Sequence, residues 1–181
     1  MTLRDSRAQP DKAVGSDVTP RDWNRLIDDP ATLVIDTRNH LEVSYGSFAG
    51  AIDPSTTSFS AFPTFERETL GSDKARPVAL FCIGGIRCGK ATSLLLAEGF
   101  AYVYHLLGGI LRYLQEIPPD QSRWHGSCFI FDEREALSYG LHQADAPGDA
   151  AASLVLAAAL EPTPLEQGST KRLQSRDKPL Q

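Results

Sequence analysis

The sequence predicts an α/β fold, in which one domain carries a parallel sheet with helices on both faces. Three short apolar runs, at residues 33–35, 78–81 and 102–106, have the length and composition of buried strands. Helical patterns separate these runs, and continuous apolar strands that alternate with helices are typical of parallel sheets. A chain of 181 residues with 41% hydrophobic composition is long enough to bury one sizeable core.

The first helix is predicted to begin after Thr19, because a threonine followed by Pro20 is a common helix start. Trp23, Leu26 and Ile27 supply the buried face of this helix. An Asp-Asp-Pro run then ends it, and the first apolar strand follows. The residues ahead of the helix are mostly polar, and we expect them to be a disordered leader.

The remaining elements continue the alternation of strands and helices. The second strand precedes a helix that a glycine stops, and two prolines end the helix after the third strand. The predicted bounds are 59–65 for a phenylalanine-rich short helix or loop, 90–98 and 110–116 for the two helices, and 128–131 for a possible final strand. The predicted domains are a leader at 1–17, the α/β domain at 18–142, and an alanine-rich helix with a polar, disordered tail at 143–181.

Charge and cysteine content exclude several classes of protein. A net charge of −5 argues against a large nucleic-acid footprint, because proteins that neutralise many phosphates have basic surfaces. The three cysteines and four histidines lack metal-ligand or disulfide-framework spacing, so we expect no metal site. The longest apolar run, at 150–160, is too short to cross a bilayer, and no signal-peptide pattern begins the chain. We therefore expect a cytoplasmic protein that does not bind membranes.

The most informative residue is Cys82, which follows a buried strand and precedes a helical pattern. A helix N-terminus leaves backbone N–H groups unpaired and favours an anion such as a thiolate. Gly84 and Gly85 allow the backbone to curl these groups around the sulfur. Such an environment lowers a cysteine pKa from about 8.5 to roughly 3.5–7.5. The sequence therefore predicts that Cys82 is a nucleophilic thiolate.

The length of the loop after Cys82 indicates its chemistry. A cysteine phosphatase has five residues between its cysteine and its arginine, whereas Arg87 comes one position early and Cys88 occupies the arginine's place. A phosphate would fit this loop badly, but a six-residue loop is tight enough to hold a persulfide. The predicted substrate-binding residues are those of the loop itself: Ile83, Gly84, Gly85, Ile86 and Arg87.

The loop length and position resemble the active site of the rhodanese family. Three further segments resemble that family: VIDTR at 34–38, GSFAGAI at 46–52 and VYHLLGG at 103–109. Within the family, CIGGIRCGK at 82–90 and WHGSCFIFD at 124–132 are most similar to the bacterial tRNA uridine 5-hydroxylases. The first resemblance implies a rhodanese-like domain with a cysteine persulfide, and the second implies oxygen-dependent hydroxylation of the wobble uridine of tRNA.

The expected function is that of a rhodanese-type sulfurtransferase without a cofactor. Cys82 would take sulfur from thiosulfate or another persulfide, hold it as a persulfide, and pass it to a thiol or protein acceptor. The alternative is tRNA wobble uridine hydroxylation, which the sequence disfavours because the hydroxylases carry flanking segments that this chain lacks. A second alternative is a non-catalytic rhodanese-like binding module, against which the presence of Cys82 and its Gly-Gly loop argues.

Three further residues are predicted to support the site. Asp36 and Arg38 follow a strand near the loop, where they either form an ion pair that braces the turn or contact the substrate. Cys88 lies one helical turn beyond the loop, either as a buried apolar residue or as a thiol that forms a disulfide with Cys82. Arg87 either binds an anionic sulfur donor or lies on the surface. Cys128, in an apolar strand pattern, is predicted to be a core residue.

Overall fold

The computed structural model describes residues 5–131 and 135–144. Its centre is a parallel sheet of four strands: β1 (Ser16–Val18), β2 (Leu33–Asp36), β4 (Val78–Phe81) and β5 (Val103–Leu106). The spatial order is β1-β5-β4-β2, so that β4 lies between two partners and all four of its residues are buried. A parallel pair needs a crossover between its strands, and helices supply these crossovers. The predicted α/β class is therefore confirmed.

Helices cover both faces of this sheet. Helices α1 (Pro20–Ile27) and α5 (Gly109–Glu116) pack with Ala79 and Phe81 on one face. Helix α4 (Ile86–Ala97) and a group of phenylalanines pack with Val78 and Leu80 on the other. Side chains along a strand alternate between faces, so β4 contributes to both apolar clusters. This arrangement places the end of β4 between the two helical layers.

Smaller elements complete the fold. Helix α2 (His40–Tyr45) leads into β3 (Gly46–Phe48), which pairs in antiparallel fashion with β6 (Trp124–Gly126). The other pair is β7 (Cys128–Phe129) with β8 (Ala136–Leu137). The remaining helical segments are short: α3 (Phe62–Phe65), the 3₁₀ turns Phe59–Ala61, Pro119–Gln121 and Tyr139–Leu141, and the π turn Glu66–Leu70.

Several predicted boundaries are wrong for local reasons. Helix α4 begins at Ile86, four residues before the predicted start, because Gly85 adopts φ +93° and turns the chain directly into the helix. Ser16–Val18, assigned in part to the leader, forms β1 because the exposed edge of β5 offers backbone groups to pair with. The possible strand at 128–131 shortens to Cys128–Phe129 and pairs outside the central sheet.

The tail and the predicted alanine-rich helix lie outside the described residues, apart from the start of the tail at residues 143–144. Among the residues that the structure describes, none of the helices has the length and apolar character needed to span a bilayer.

Candidate active site

Cys82 lies at the carboxyl end of β4, immediately before the loop that enters α4. Its Sγ accepts a hydrogen bond from the Gly85 N–H at 3.1 Å, and the backbone N–H groups of Gly85, Arg87 and Cys88 all act to lower its pKa. Ligands in parallel α/β folds bind beyond the carboxyl ends of the strands, where this sulfur lies. The loop and the first turn of α4 therefore form an anion-stabilising nest around Cys82.

The pKa values of the Cys82 and Cys88 thiols are shifted in opposite directions through a hydrogen bond between them. The bond from the Cys88 thiol is the largest cause that lowers the pKa of Cys82 to about 6, and the backbone N–H groups add to it against the opposing effect of burial. Burial, and then the bond to Cys82, raises the pKa of Cys88 well above its ordinary value. At neutral pH the site therefore holds one thiolate beside one thiol.

Two amides of α5 fix the start of the loop. The N–H of Ile110 donates to the Cys82 carbonyl at 3.0 Å, and the N–H of Leu111 donates to the Ile83 carbonyl at 3.2 Å. Gly109, at φ +65°, approaches so closely that a Cβ there would lie 2.5 Å from the Cys82 oxygen and 2.4 Å from the Ile83 oxygen. Residue 109 must therefore be glycine for two reasons: a side chain would clash with the active-site loop, and the positive φ disfavours residues that carry a Cβ.

Arg87 forms a bidentate ion pair with Glu42. Its Nη1 lies 2.7 Å from Oε2 and its Nη2 lies 2.9 Å from Oε1, and both side chains are buried. Glu42 is held by a capping box with Asn39, in which each residue's side chain accepts the other's backbone N–H. Arg87, which the sequence predicts to bind an anionic donor, is therefore paired with a carboxylate of the protein itself. Glu42 is absent from the predicted site, although the spacing of Asn39 and Glu42 is a helix-start signal.

Asp36 and Arg38 form a second buried ion pair, between Nη2 and Oδ2 at 2.6 Å. The Arg38 guanidinium also donates to the carbonyl oxygens of Glu42 and Gly46 and lies 5.2 Å from the centre of the Trp124 ring. Neither side chain of the pair is exposed. Of the two interpretations left open by the sequence, the structure supports the one in which the pair braces the turn.

Cys128 is fully buried, and its Sγ donates to the Phe129 carbonyl oxygen at 3.6 Å. Burial is the largest cause that raises its pKa to about 12, and the charge of Arg38 opposes this effect. A thiol that stays protonated at neutral pH is a poor nucleophile. Cys128 is therefore a core residue, as the sequence predicted.

A cavity of about 330 Å³ opens beside the Arg87–Glu42 pair. Phe131, at its edge, exposes 70% of its surface, and the exposed side chain of Ile86 follows the loop on the same helix as Arg87. The polar side chains that line the cavity belong mainly to the segment after β3 and to the start of α2: Asn39, Thr57, Ser58 and Ser60. The cavity therefore combines hydrogen-bonding groups with an exposed aromatic ring.

Comparison with known proteins identifies the family and several similar relatives. The model of the rhodanese-like domain matches residues 19–116. The tRNA uridine(34) hydroxylase of Bradyrhizobium diazoefficiens is 55% identical over 145 residues, which are 80% of this chain and 57% of that protein. The hydroxylase of the same name from Rhizobium etli is 53% identical over 136 residues, 75% of this chain and 44% of that protein. The chain thus spans about half the length of the curated relatives it matches.

Among solved structures, a rhodanese-related protein from Thermoplasma volcanium aligns with a TM-score of 0.44 and 23% identity. The alignment covers 57% of this chain and 95% of that one.

Proposed function

This chain belongs to the rhodanese-like domain family, and we propose that within this family it carries the reactive cysteine of a tRNA uridine hydroxylase, which places oxygen on carbon 5 of the wobble uridine. The observation that carries the proposal is the 55% identity to a protein named tRNA uridine(34) hydroxylase. A matched stretch of 145 residues in a chain of 181 necessarily includes the loop from Cys82 to Cys88.

The expectation of a thiosulfate sulfurtransferase is wrong. Relatives at 50–55% identity are named tRNA uridine(34) hydroxylases, which was the alternative interpretation of the sequence. Flanking segments are a poor guide to the chemistry here, because the identity extends over three quarters or more of this chain. A nucleophilic cysteine in a short loop is compatible with either chemistry, so the loop alone did not discriminate between them.

The site offers a nucleophile held in its reactive form. The Cys82 thiolate is stabilised by donors that are already in place, so no solvent has to reorganise when an oxygen species or the uracil approaches. The Arg87–Glu42 pair ties the end of the loop to α2, and the amides of α5 tie its beginning. These contacts hold both ends of the loop around the sulfur.

The cavity beside Arg87 has properties that suit an unpaired nucleotide. Proteins that bind single-stranded RNA stack its bases on exposed aromatic rings and hydrogen-bond their edges, and Phe131 with Asn39, Ser58 and Ser60 provides both kinds of contact. The wobble uridine lies in a loop, so presenting it costs less unstacking than extracting a base from a duplex. We assign the cavity to a nucleotide of the anticodon loop.

Complementation tests the proposal directly. The chain is expressed in bacteria that lack wobble uridine hydroxylation, and their tRNA nucleosides are analysed by mass spectrometry. We expect the wild-type chain and the matched control Cys128→Ser to restore 5-hydroxyuridine derivatives, and Cys82→Ser to restore none. If the folded wild-type chain transfers sulfur from thiosulfate but yields no 5-hydroxyuridine derivative, the proposal is wrong.

A further inference from the structure

We propose that Asn39 makes this site specific for uracil, because its side-chain amide donates a hydrogen bond to the carbonyl oxygen at carbon 4 of the base. Cytosine carries an amino group at carbon 4, so the same contact disfavours cytidine. The selected nucleotide is the one that the function proposed above places in the cavity beside Arg87, and the selectivity rests on that function.

The capping box of α2 fixes which way the Asn39 amide faces. Its Oδ1 accepts the backbone N–H of Glu42 at 2.9 Å, and a backbone N–H can only donate, so the atom in that position is the oxygen. The Asn39 backbone is engaged as well, because its N–H donates to Glu42 Oε2 and its carbonyl oxygen accepts from the N–H of Val43. Among the residues that the structure describes, none accepts a hydrogen bond from Asn39 Nδ2. The amide nitrogen is therefore the unpaired polar group of Asn39.

Asn39 and Arg87 line the same cavity of about 330 Å³. Arg87 ends the six-residue loop that begins at Cys82, so this wall of the cavity adjoins the loop of the nucleophile. A guanidinium and an amide nitrogen only donate hydrogen bonds. The carboxylate of this wall, Glu42, is fully buried, and both its oxygens already accept hydrogen bonds from Arg87 or the Asn39 backbone. The wall therefore suits a ligand that presents a carbonyl oxygen.

Carbon 4 is the position at which this wall can distinguish the two pyrimidines of RNA. Uracil and cytosine share the carbonyl oxygen at carbon 2, but only uracil has one at carbon 4. Carbon 4 also adjoins carbon 5, which has to reach the Cys82 loop in the proposed reaction. A base in that position brings its carbon 4 substituent to the wall that Arg87 and Asn39 form. An amino group there would meet donors only, and a donor left without an acceptor is unfavourable.

The hydroxyl groups of the cavity do not make this distinction. Ser58 and Ser60 line the cavity, and their Oγ atoms lie 2.8 Å apart. A hydroxyl both donates and accepts hydrogen bonds, and it rotates to suit its partner. The serine pair can therefore bind the N3–H of uracil or the N3 of cytosine, so the selectivity falls to Asn39.

Binding of two anticodon stem-loops that differ only in uridine or cytidine at the wobble position tests this selectivity, by fluorescence anisotropy at fixed salt. We expect the wild-type chain to favour the uridine stem-loop by roughly 5- to 150-fold, the range for a polar group that loses its partner. Asn39→Ser keeps an N-cap oxygen for α2 but removes the amide donor, so the preference should fall toward one. Asn39→Asp keeps the capping oxygen and replaces the donor with an acceptor, so it should favour the cytidine stem-loop.

The matched control is Ser60→Ala, which should weaken binding of both stem-loops by the same factor. A purely structural role of Asn39 would likewise weaken both stem-loops together and leave their ratio unchanged. An unchanged ratio in Asn39→Ser would therefore overturn the inference, as would a ratio that changes in Ser60→Ala. Equal binding of the two stem-loops by the wild-type chain, or binding of neither, would overturn it as well.

Hydroxylation of the uridine stem-loop, measured in parallel, separates this inference from the proposed function. If the wild-type chain hydroxylates the stem-loop while Asn39→Ser keeps the wild-type preference, the function stands and the selectivity of Asn39 is wrong. If the preference depends on Asn39 but no uridine is hydroxylated, the selectivity is supported and the proposed function fails.

Discussion

The chemistry of Cys82 depends on the direction of its hydrogen bonds. A thiolate only accepts hydrogen bonds, and the neighbouring thiol and backbone N–H groups all donate to this sulfur. Each bond therefore favours the charged form, and together they outweigh the burial that opposes ionisation. Cys128, which is also buried but lacks such donors, has its pKa raised instead. A comparison of the two cysteines therefore separates the effect of hydrogen-bond donors on the thiol pKa from the effect of burial.

The reactivity of Cys82 should follow a titration with a midpoint near pH 6. A pKa of about 6 leaves roughly ten thiolates for each thiol at pH 7, so alkylation by iodoacetamide should slow as the pH falls through that value. Cys88→Ala removes the largest cause of the lowered pKa and should move the midpoint upward, while Cys128→Ala should leave it unchanged. A midpoint that stays in place in Cys88→Ala would show that the backbone donors suffice.

The Glu42–Arg87 pair should matter more for stability than an ion pair at the surface. Glu42→Ala leaves the Arg87 charge buried without this carboxylate, and removing one partner of a buried pair typically costs about 3–5 kcal/mol. The matched control is Glu116→Ala, which breaks the exposed pair with Arg112 and should cost less than about 1 kcal/mol. Urea unfolding of both variants measures the difference, and equal costs would contradict the buried pair's role.

Part of the candidate site was predictable at the level of single residues. Cys82 was identified because strand, cysteine, glycines and helix follow one another in the sequence. Glu42 was not, because its partner Arg87 is 45 positions away and a short polar helix leaves no apolar periodicity to detect. Arg87 was recognised as important, but its contact with a carboxylate depends on how α2 packs against the loop, which the local sequence does not contain.

At the scale of elements, the active-site loop is held between two helices. The first turn of α4 supplies donors to the Cys82 sulfur, and the first turn of α5 supplies donors to the carbonyl oxygens of Cys82 and Ile83. The side chain of Cys82 is thus held by α4, and its main chain is held by α5. A displacement of α5 should therefore disturb the nucleophile without any change in the loop sequence.

Gly109→Ala should impair the site through such a displacement. The added Cβ would meet two loop carbonyl oxygens at 2.4 and 2.5 Å, so helix or loop has to move. The control is Gly99→Ala, at φ +91° with nothing near the added carbon, which should cost about 1–2 kcal/mol through backbone strain alone. We expect slower alkylation of Cys82 and lower hydroxylation in Gly109→Ala only. Equal activity in the two variants would contradict this coupling.

The pattern of elements was predictable where apolar periodicity is strong. The bounds of β4 match the prediction because all four of its residues are apolar and buried. The starts of α4 and β1 were missed because they depend on other signals: a positive φ at Gly85 and the free edge of β5. Helix α2 was missed because it is six residues long and is fixed by its capping box and its ion pair rather than by an apolar face.

At the scale of the whole molecule, the acidic charge constrains how RNA can be bound. A chain with a net charge of −5 gains little from neutralising phosphates, so binding through this chain should have a shallow salt dependence. Stacking of bases on aromatic side chains does not need positive charge and supplies about 1–3 kcal/mol for each base. Affinity should therefore depend on the cavity at the carboxyl end of the sheet more than on the general surface.

Phe131→Ala should weaken binding of a tRNA anticodon stem-loop by roughly 5- to 150-fold at fixed salt, which corresponds to the loss of one stacked base. The matched control is Tyr102→Ala, because Tyr102 is also an exposed aromatic residue but precedes β5, at the end of the sheet away from Cys82. Fluorescence anisotropy with a labelled stem-loop measures both dissociation constants. Because the lost contact involves no charge, the salt slope of Phe131→Ala should equal that of the wild-type chain. Equal weakening in the two variants would mean that RNA does not use this cavity, and a changed slope would indicate that phosphates rather than bases are bound there.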